Sequence, residues 1–231
     1  MQLNKITIDR EKCWFFCRGE SSLIIENNIP NELMYKENEC SHLYMHGDRI
    51  LKVCFAQSWP KDSIRKYVWR SQAEREIDSA KLLAELGLST PKEYFSAFSL
   101  SPFNRVESIH EMSFLNDHEN LNKHISTRHN SENIVRLIAE DLVTMTNNMV
   151  CLKDFGLGNI MYHPNTHISW IDNDIKNFSD KKRLACFLME HLIPRLLRHI
   201  DARDEEVFWN VFRARSIMYN EMMAEYLCCS N

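Results

Sequence analysis

The sequence predicts an α+β protein with its strands first and its helices last. Short apolar or β-branched stretches bounded by polar residues fill the first 57 positions. One run of strong helix formers follows, then two more strand-like stretches. From residue 131 onward, apolar residues recur mostly at helical spacing. A chain of 231 residues can bury a sizeable core, as one compact domain or as two small lobes.

Taken in order, residues 6–8, 14–17 and 22–25 read as strands. Residues 42–45 and 50–55, joined at Gly47-Asp48, read as a hairpin. A helix is expected over about residues 62–86, closed by Gly87 and prevented from resuming by Pro91. Residues 94–100 and 105–112 give two further strands, and the polar stretch 117–130 a short helix and loop. Ser131 caps a helix whose apolar face carries Ile134, Leu137, Ile138, Leu142 and Met145. A hairpin of 160–162 and 168–171 follows, and then helices over 181–200 and about 204–227.

Apolar content of 44% with 26% charged residues fits a soluble globular protein. A formal charge of −4 offers nucleic acid no bulk attraction. The apolar runs at 184–188 and 192–197 are too short to span a bilayer, so no transmembrane segment is expected. Residues 1–5 lack a signal-peptide core, which points to the cytoplasm, although a specialised secretion machine would leave no such mark. Eight scattered cysteines without Cys-x-x-Cys spacing read as free thiols in a reducing compartment. His163, His167 and His191 read as surface or packing residues, not zinc ligands.

The most informative stretch is Lys153-Asp154-Phe155-Gly156-Leu157-Gly158-Asn159-Ile160-Met161, followed by Ile168-Ser169-Trp170-Ile171-Asp172. An acid is followed five residues later by an amide, and thirteen residues after that by a second acid ending an apolar run. Kinases need that set: one carboxylate to face the attacking hydroxyl, and an amide and a second carboxylate to hold the metal on the nucleotide phosphates. Here the chain resembles the protein-kinase-like superfamily, and small-molecule kinases such as the aminoglycoside and choline phosphotransferases more than eukaryotic protein kinases. The compact size and the abrupt Ile171-Asp172 ending resemble bacterial lipopolysaccharide-core sugar kinases.

The resemblance implies a two-lobed protein-kinase-like fold. A β-rich lobe with one main helix would span residues 1–112, and a mostly helical lobe with the catalytic loop residues 113–231. It implies ATP and Mg2+ as cofactors and a hydroxyl-bearing acceptor. Asp154 would orient the acceptor, while Asn159 and Asp172 would hold the metal, with Asp174 a weaker candidate. Lys52, alone in the apolar strand 50–53, would touch the phosphates, steadied by Glu76 or, because sequence does not fix the helix phase, by Glu74. Glu111, Met112 and Ser113 would form the connector whose backbone binds adenine, or simply end a strand.

The chain departs from the family in three ways. Leu152 stands where the family usually has His, two residues before the catalytic acid. The expected phosphate-covering loop at 37–42 holds no glycine, although glycines let backbone amides approach phosphates. No activation segment separates Asp172 from the helix at 181, which favours a small acceptor over a peptide. An active sugar or metabolite kinase is therefore expected. The alternatives are a minimal protein Ser/Thr kinase, exported as an effector, and a non-catalytic pseudokinase module.

Overall fold

A computed structural model describes residues 2–8, 11–56, 71–101, 104–122, 131–164 and 167–229. The chain divides into two compact units, Met1–Asp78 with Pro91–Asn116, and Ser79–Thr90 with Asp117–Asn231. Among the described residues no helix is long and apolar enough to cross a membrane.

Among the described residues of the first unit, seven strands form one antiparallel sheet in the order β1-β2-β6-β7-β5-β4-β3. They are β1 (Gln2–Ile8), β2 (Glu11–Gly19), β3 (Met34–Glu37), β4 (Ser41–His46), β5 (Arg49–Phe55), β6 (Glu93–Ser99) and β7 (Val106–Ser113). Successive side chains point to opposite faces, so each strand serves two environments. On one face Leu51, Val53 and Phe55 of β5 join Phe15, Tyr44, Phe95 and Ile109 in an apolar core. Lys52 alternates with them and so belongs to the other face. Helix α1 (Gln72–Glu85) packs Ala73 and Ile77 against Phe98.

Helix α1 begins with a reciprocal cap. Ser71 Oγ accepts from the Glu74 N–H, and Glu74 accepts from the Ser71 N–H at 2.9 Å. It ends at Gly87, whose φ of +81° lets the Leu88 N–H reach the Leu83 carbonyl at 2.9 Å. The portion of the expected helix on residues 62–70 lies outside the described residues, as do residues 123–130 of the expected short helix and loop.

The expected strand at 22–25 is instead a tight excursion. The Ser22 N–H and the Ser21 and Ser22 hydroxyls all go to the Glu111 carboxylate, and Ile25 and Asn28 exchange backbone bonds around Glu26 and Asn27, both at positive φ. Leu23 is fully buried within it. A buried carboxylate needs donors, and this segment supplies them in place of a ladder partner.

In the second unit, helix α2 (Ser131–Asn147) buries Ile134, Val135, Ile138, Leu142 and Met145. They share a core with Trp170, Leu184, Leu188, Phe208 and Phe212. Two small antiparallel sheets lie in this unit. The first has the order β11-β10-β8, from β8 (Glu119–Asn120), β10 (Ile160–His163) and β11 (His167–Trp170). The second pairs β9 (Val150–Leu152) with β12 (Ile175–Asn177).

The helical tail is more broken than the periodicity predicts. Asp180 caps α3 (Lys181–Phe187), which widens into a π turn at Leu188–Leu192 and continues as α4 (Ile193–Leu197). Asp201 caps α5 (Ala202–Arg215). Ser216, in extended conformation, ends α5, and its hydroxyl receives the Met218 N–H just before α6 (Tyr219–Cys229).

Candidate active site

The loops carrying Asp154 and Asp172 are held together at both ends. The chain runs from β9 through residues 153–159 into β10, turns, and returns from β11 through residues 171–174 into β12. β10 pairs with β11 and β9 with β12, so the two loops are the unpaired middle of one long antiparallel arrangement. At one end the Lys153 N–H donates to the Asp174 carbonyl at 2.8 Å. At the other the Ile171 N–H donates to the Asn159 carbonyl at 2.9 Å, which sets Asp172 beside Asn159. The Asn159 amide closes the loop by donating to the Asp154 carbonyl at 3.2 Å. Pairing therefore ties the backbone of the 153–159 loop to that of the 171–174 loop.

Asp154 and Asp172 are exposed and Asn159 is half-buried. Asp172 has φ +52°, a left-handed conformation rare for a residue with a side chain, and such strain persists only where its surroundings impose it. Asn173 supplies part of that frame: it is buried and donates to the Trp170 carbonyl at 2.9 Å. Asp174 is committed elsewhere, its carboxylate lying 2.6 Å from the Lys153 ammonium.

Asn159 and Asp172 offer two hard oxygen donors on adjacent backbone. That suits Mg2+, which keeps waters and takes its remaining ligands from phosphate oxygens. Among the described residues no group of three or more His, Cys, Asp or Glu is arranged to hold a metal ion.

In the first unit Lys52 and Glu76 form a buried ion pair, the ammonium 3.1 and 3.0 Å from the two carboxylate oxygens. His110 Nε2 lies 3.5 Å from the same carboxylate, opposite Lys52 in the β5–β7 register. Of the two glutamates open to sequence reasoning, Glu76 takes the lysine, because Glu74 is spent on the Ser71 cap.

The glycine-free loop at 37–42 is an asparagine turn between β3 and β4. Asn38 Oδ1 accepts the N–H groups of Cys40 and Ser41 at 2.9 and 2.8 Å, and the Asn38 N–H bonds to the Ser41 carbonyl. Those amides are engaged internally. The connector residues end a strand, the alternative that the sequence left open. Glu111, Met112 and Ser113 finish a central strand, paired with Leu51, Ile50 and Arg49 on one side. Glu111 also pairs with Phe95 and Met112 with Glu93, and the Ser113 N–H donates to the Lys92 carbonyl. The Glu111 side chain is fully buried and accepts from Arg49 at 3.0 Å. That bond, ahead of an opposing cost of burial, raises the Arg49 guanidinium above its usual value.

Sequence reasoning missed two features of the second unit. His118, just before β8, His163, ending β10, and His167, starting β11, pack together with ring centroids 5.2 to 5.3 Å apart. Pairing puts His163 opposite His167, a relation that the hairpin reading already contained. Asp141 accepts the Trp170 indole N–H at 2.7 Å; an acid on the apolar side of a helix was its only trace in the sequence. The thiol pKa values of Cys54 and Cys151 are pushed up to about 12 by burial, so neither is a nucleophile near neutrality.

No family model matches the sequence, and no curated protein matches it significantly. Solved structures do match. WaaP, in complex with acyl carrier protein, is 17% identical over 79% of this chain and 78% of its own, with a TM-score of 0.52. WbdD, bound to the kinase inhibitor LY294002, is 14% identical over 83% of this chain and 44% of its own, with a TM-score of 0.55. The aerobactin synthetase IucC from a hypervirulent Klebsiella pneumoniae pathotype is 10% identical over 81% of this chain and 46% of its own, with a TM-score of 0.53. The chain thus spans less than half of the latter two. It has the α+β, two-lobed protein-kinase-like fold that these proteins share. Because a synthetase shares it too, the reaction must be argued from the site.

Proposed function

We propose that the chain is an ATP-dependent phosphotransferase that moves the γ-phosphoryl group to a hydroxyl of a sugar or other small molecule. The observation that carries this reading is the coupling of Asp154, Asn159 and Asp172 through the bonds Ile171 N–H to Asn159 and Asn159 to Asp154. Asp154 would align the acceptor hydroxyl and take its proton. Asn159 and Asp172 would hold Mg2+, which neutralises charge on the phosphates. Lys52, steadied by Glu76, would contact the α- and β-phosphates. Glu111, Met112 and Ser113, at the end of β7, would offer backbone groups to adenine where the strand runs out.

A small acceptor is favoured by the short path after Asp172, which enters β12 at Ile175 and α3 at Lys181 with no room for a peptide-docking segment. A non-catalytic module is the second reading, favoured by the Asn38 turn, which consumes amides that phosphate would otherwise take. Intact-mass analysis after incubation with ATP, Mg2+ and candidate sugars or proteins separates the readings. Gain of one phosphoryl group on a sugar, abolished by Asp154→Ala without loss of folding, is the expected result. Transfer that survives Asp154→Ala contradicts the assignment. Nucleotide binding without transfer to any acceptor supports the second reading.

A further inference from the structure

Trp170 reaches both loops of the candidate site. Its ring lies 6.3 Å from Phe155, the residue after Asp154. Its carbonyl accepts from Asn173, the residue after Asp172, and its backbone N–H donates to the Ser89 carbonyl at 2.9 Å. The side chain is fully buried, and a buried indole N–H needs an acceptor. Asp141, one helix away on α2, is that acceptor, at 2.7 Å.

We propose that Asp141 is a positioning residue: through Trp170 it fixes the two loops that carry Asp154 and Asp172. The inference rests on the phosphotransferase reading for its purpose, though not for its geometry. Leu152 and Phe155 are buried apolar residues, and Trp170, packed beside Phe155, is tethered by a carboxylate.

The tether is sensitive to protons. Burial raises the Asp141 carboxyl to about 6, with the indole bond opposing and Glu140 adding to the rise. Glu140, its neighbour on α2, is held by Arg215 of α5 at 2.7 Å. Because burial favours the protonated acid, which still accepts the indole N–H through its carbonyl oxygen, the brace is firmer below about 6 and loosens as the pH rises through that value.

The test is amide hydrogen exchange on the full chain, wild type against Asp141→Ala, Asp141→Asn and Trp170→Phe. We expect Asp141→Ala and Trp170→Phe to speed exchange about tenfold in peptides covering 153–160 and 171–176, with α2 and α5 still protected. Asp141→Asn, which keeps an oxygen acceptor, should restore most of the protection. In 5-fluorotryptophan protein the Trp170 resonance should titrate near the Asp141 value and stop titrating in Asp141→Asn. Unchanged exchange in those two peptides, or equal acceleration throughout the unit, overturns the inference. These readouts need no acceptor, so absent phosphoryl transfer would defeat the functional reading while the exchange result still decides the brace.

Discussion

Lys52 and Glu76 are two charges taken out of water, and each makes the other tolerable. Removing one strands its partner in a buried site, which costs about 3–5 kcal/mol, whereas replacing both with apolar residues of similar size is close to neutral. Lys52→Met should therefore lower the urea midpoint sharply, and Lys52→Met with Glu76→Leu should recover most of it. Equal losses in the single and double variants would mean that the pair carries no such coupling. The lysine is legible because a lone cation in an apolar strand demands an anion. Its partner is ambiguous by helix phase, and the ambiguity dissolves only when Glu74 is seen capping α1 from its first turn. Glu111 shows the opposite limit. A carboxylate inside a strand looks like a strand end, and the serines that satisfy it lie 89 and 90 residues away in sequence.

At the scale of elements, two places set tight limits. Gly19 ends β2 at φ +76°, and a Cβ there would sit 2.2 Å from the Tyr94 carbonyl oxygen, across the β2–β6 pairing. Gly19→Ala combines a disfavoured backbone with a collision against main chain, so thermal unfolding should show a loss of several kcal/mol, of the order seen for strained or overpacked sites. A melting temperature within error of the parent would contradict that contact. The second place is the three-histidine end of the β8 and β10–β11 sheet. Burial, then His167 and His163, lower His118 below its ordinary 6.5, with Asp117 opposing. The unfolded chain then takes up the proton first, so stability present above 6.5 is lost as the pH falls below it. Amide exchange in residues 118–120 and 160–163 should quicken on mild acidification, and His118→Asn should remove that dependence. Equal protection on both sides of neutrality would refute it. The long elements are readable from apolar period; β9 and β12 are not, because three residues carry too little pattern, yet their pairing is what closes the site.

For the whole molecule, the order of strands, one helix, strands and then helices is visible in composition, and the residues around Asp154, Asn159 and Asp172 carry the resemblance that implies a kinase-like fold. What spacing cannot supply is support: how the two loops are tied to each other and to the rest of the unit. Those answers come from contacts between residues far apart in the chain, such as Trp170 with Asp141 and with Ser89, which no local pattern encodes. The most direct measurement is calorimetric binding of a non-hydrolysable ATP analogue, with Mg2+ and with chelator, to the wild type and to Asp172→Asn. Mg2+ should tighten binding by about tenfold or more in the wild type, and Asp172→Asn should abolish the gain without unfolding the chain. Equal affinity with Mg2+ and with chelator in the wild type would contradict a metal held by Asn159 and Asp172.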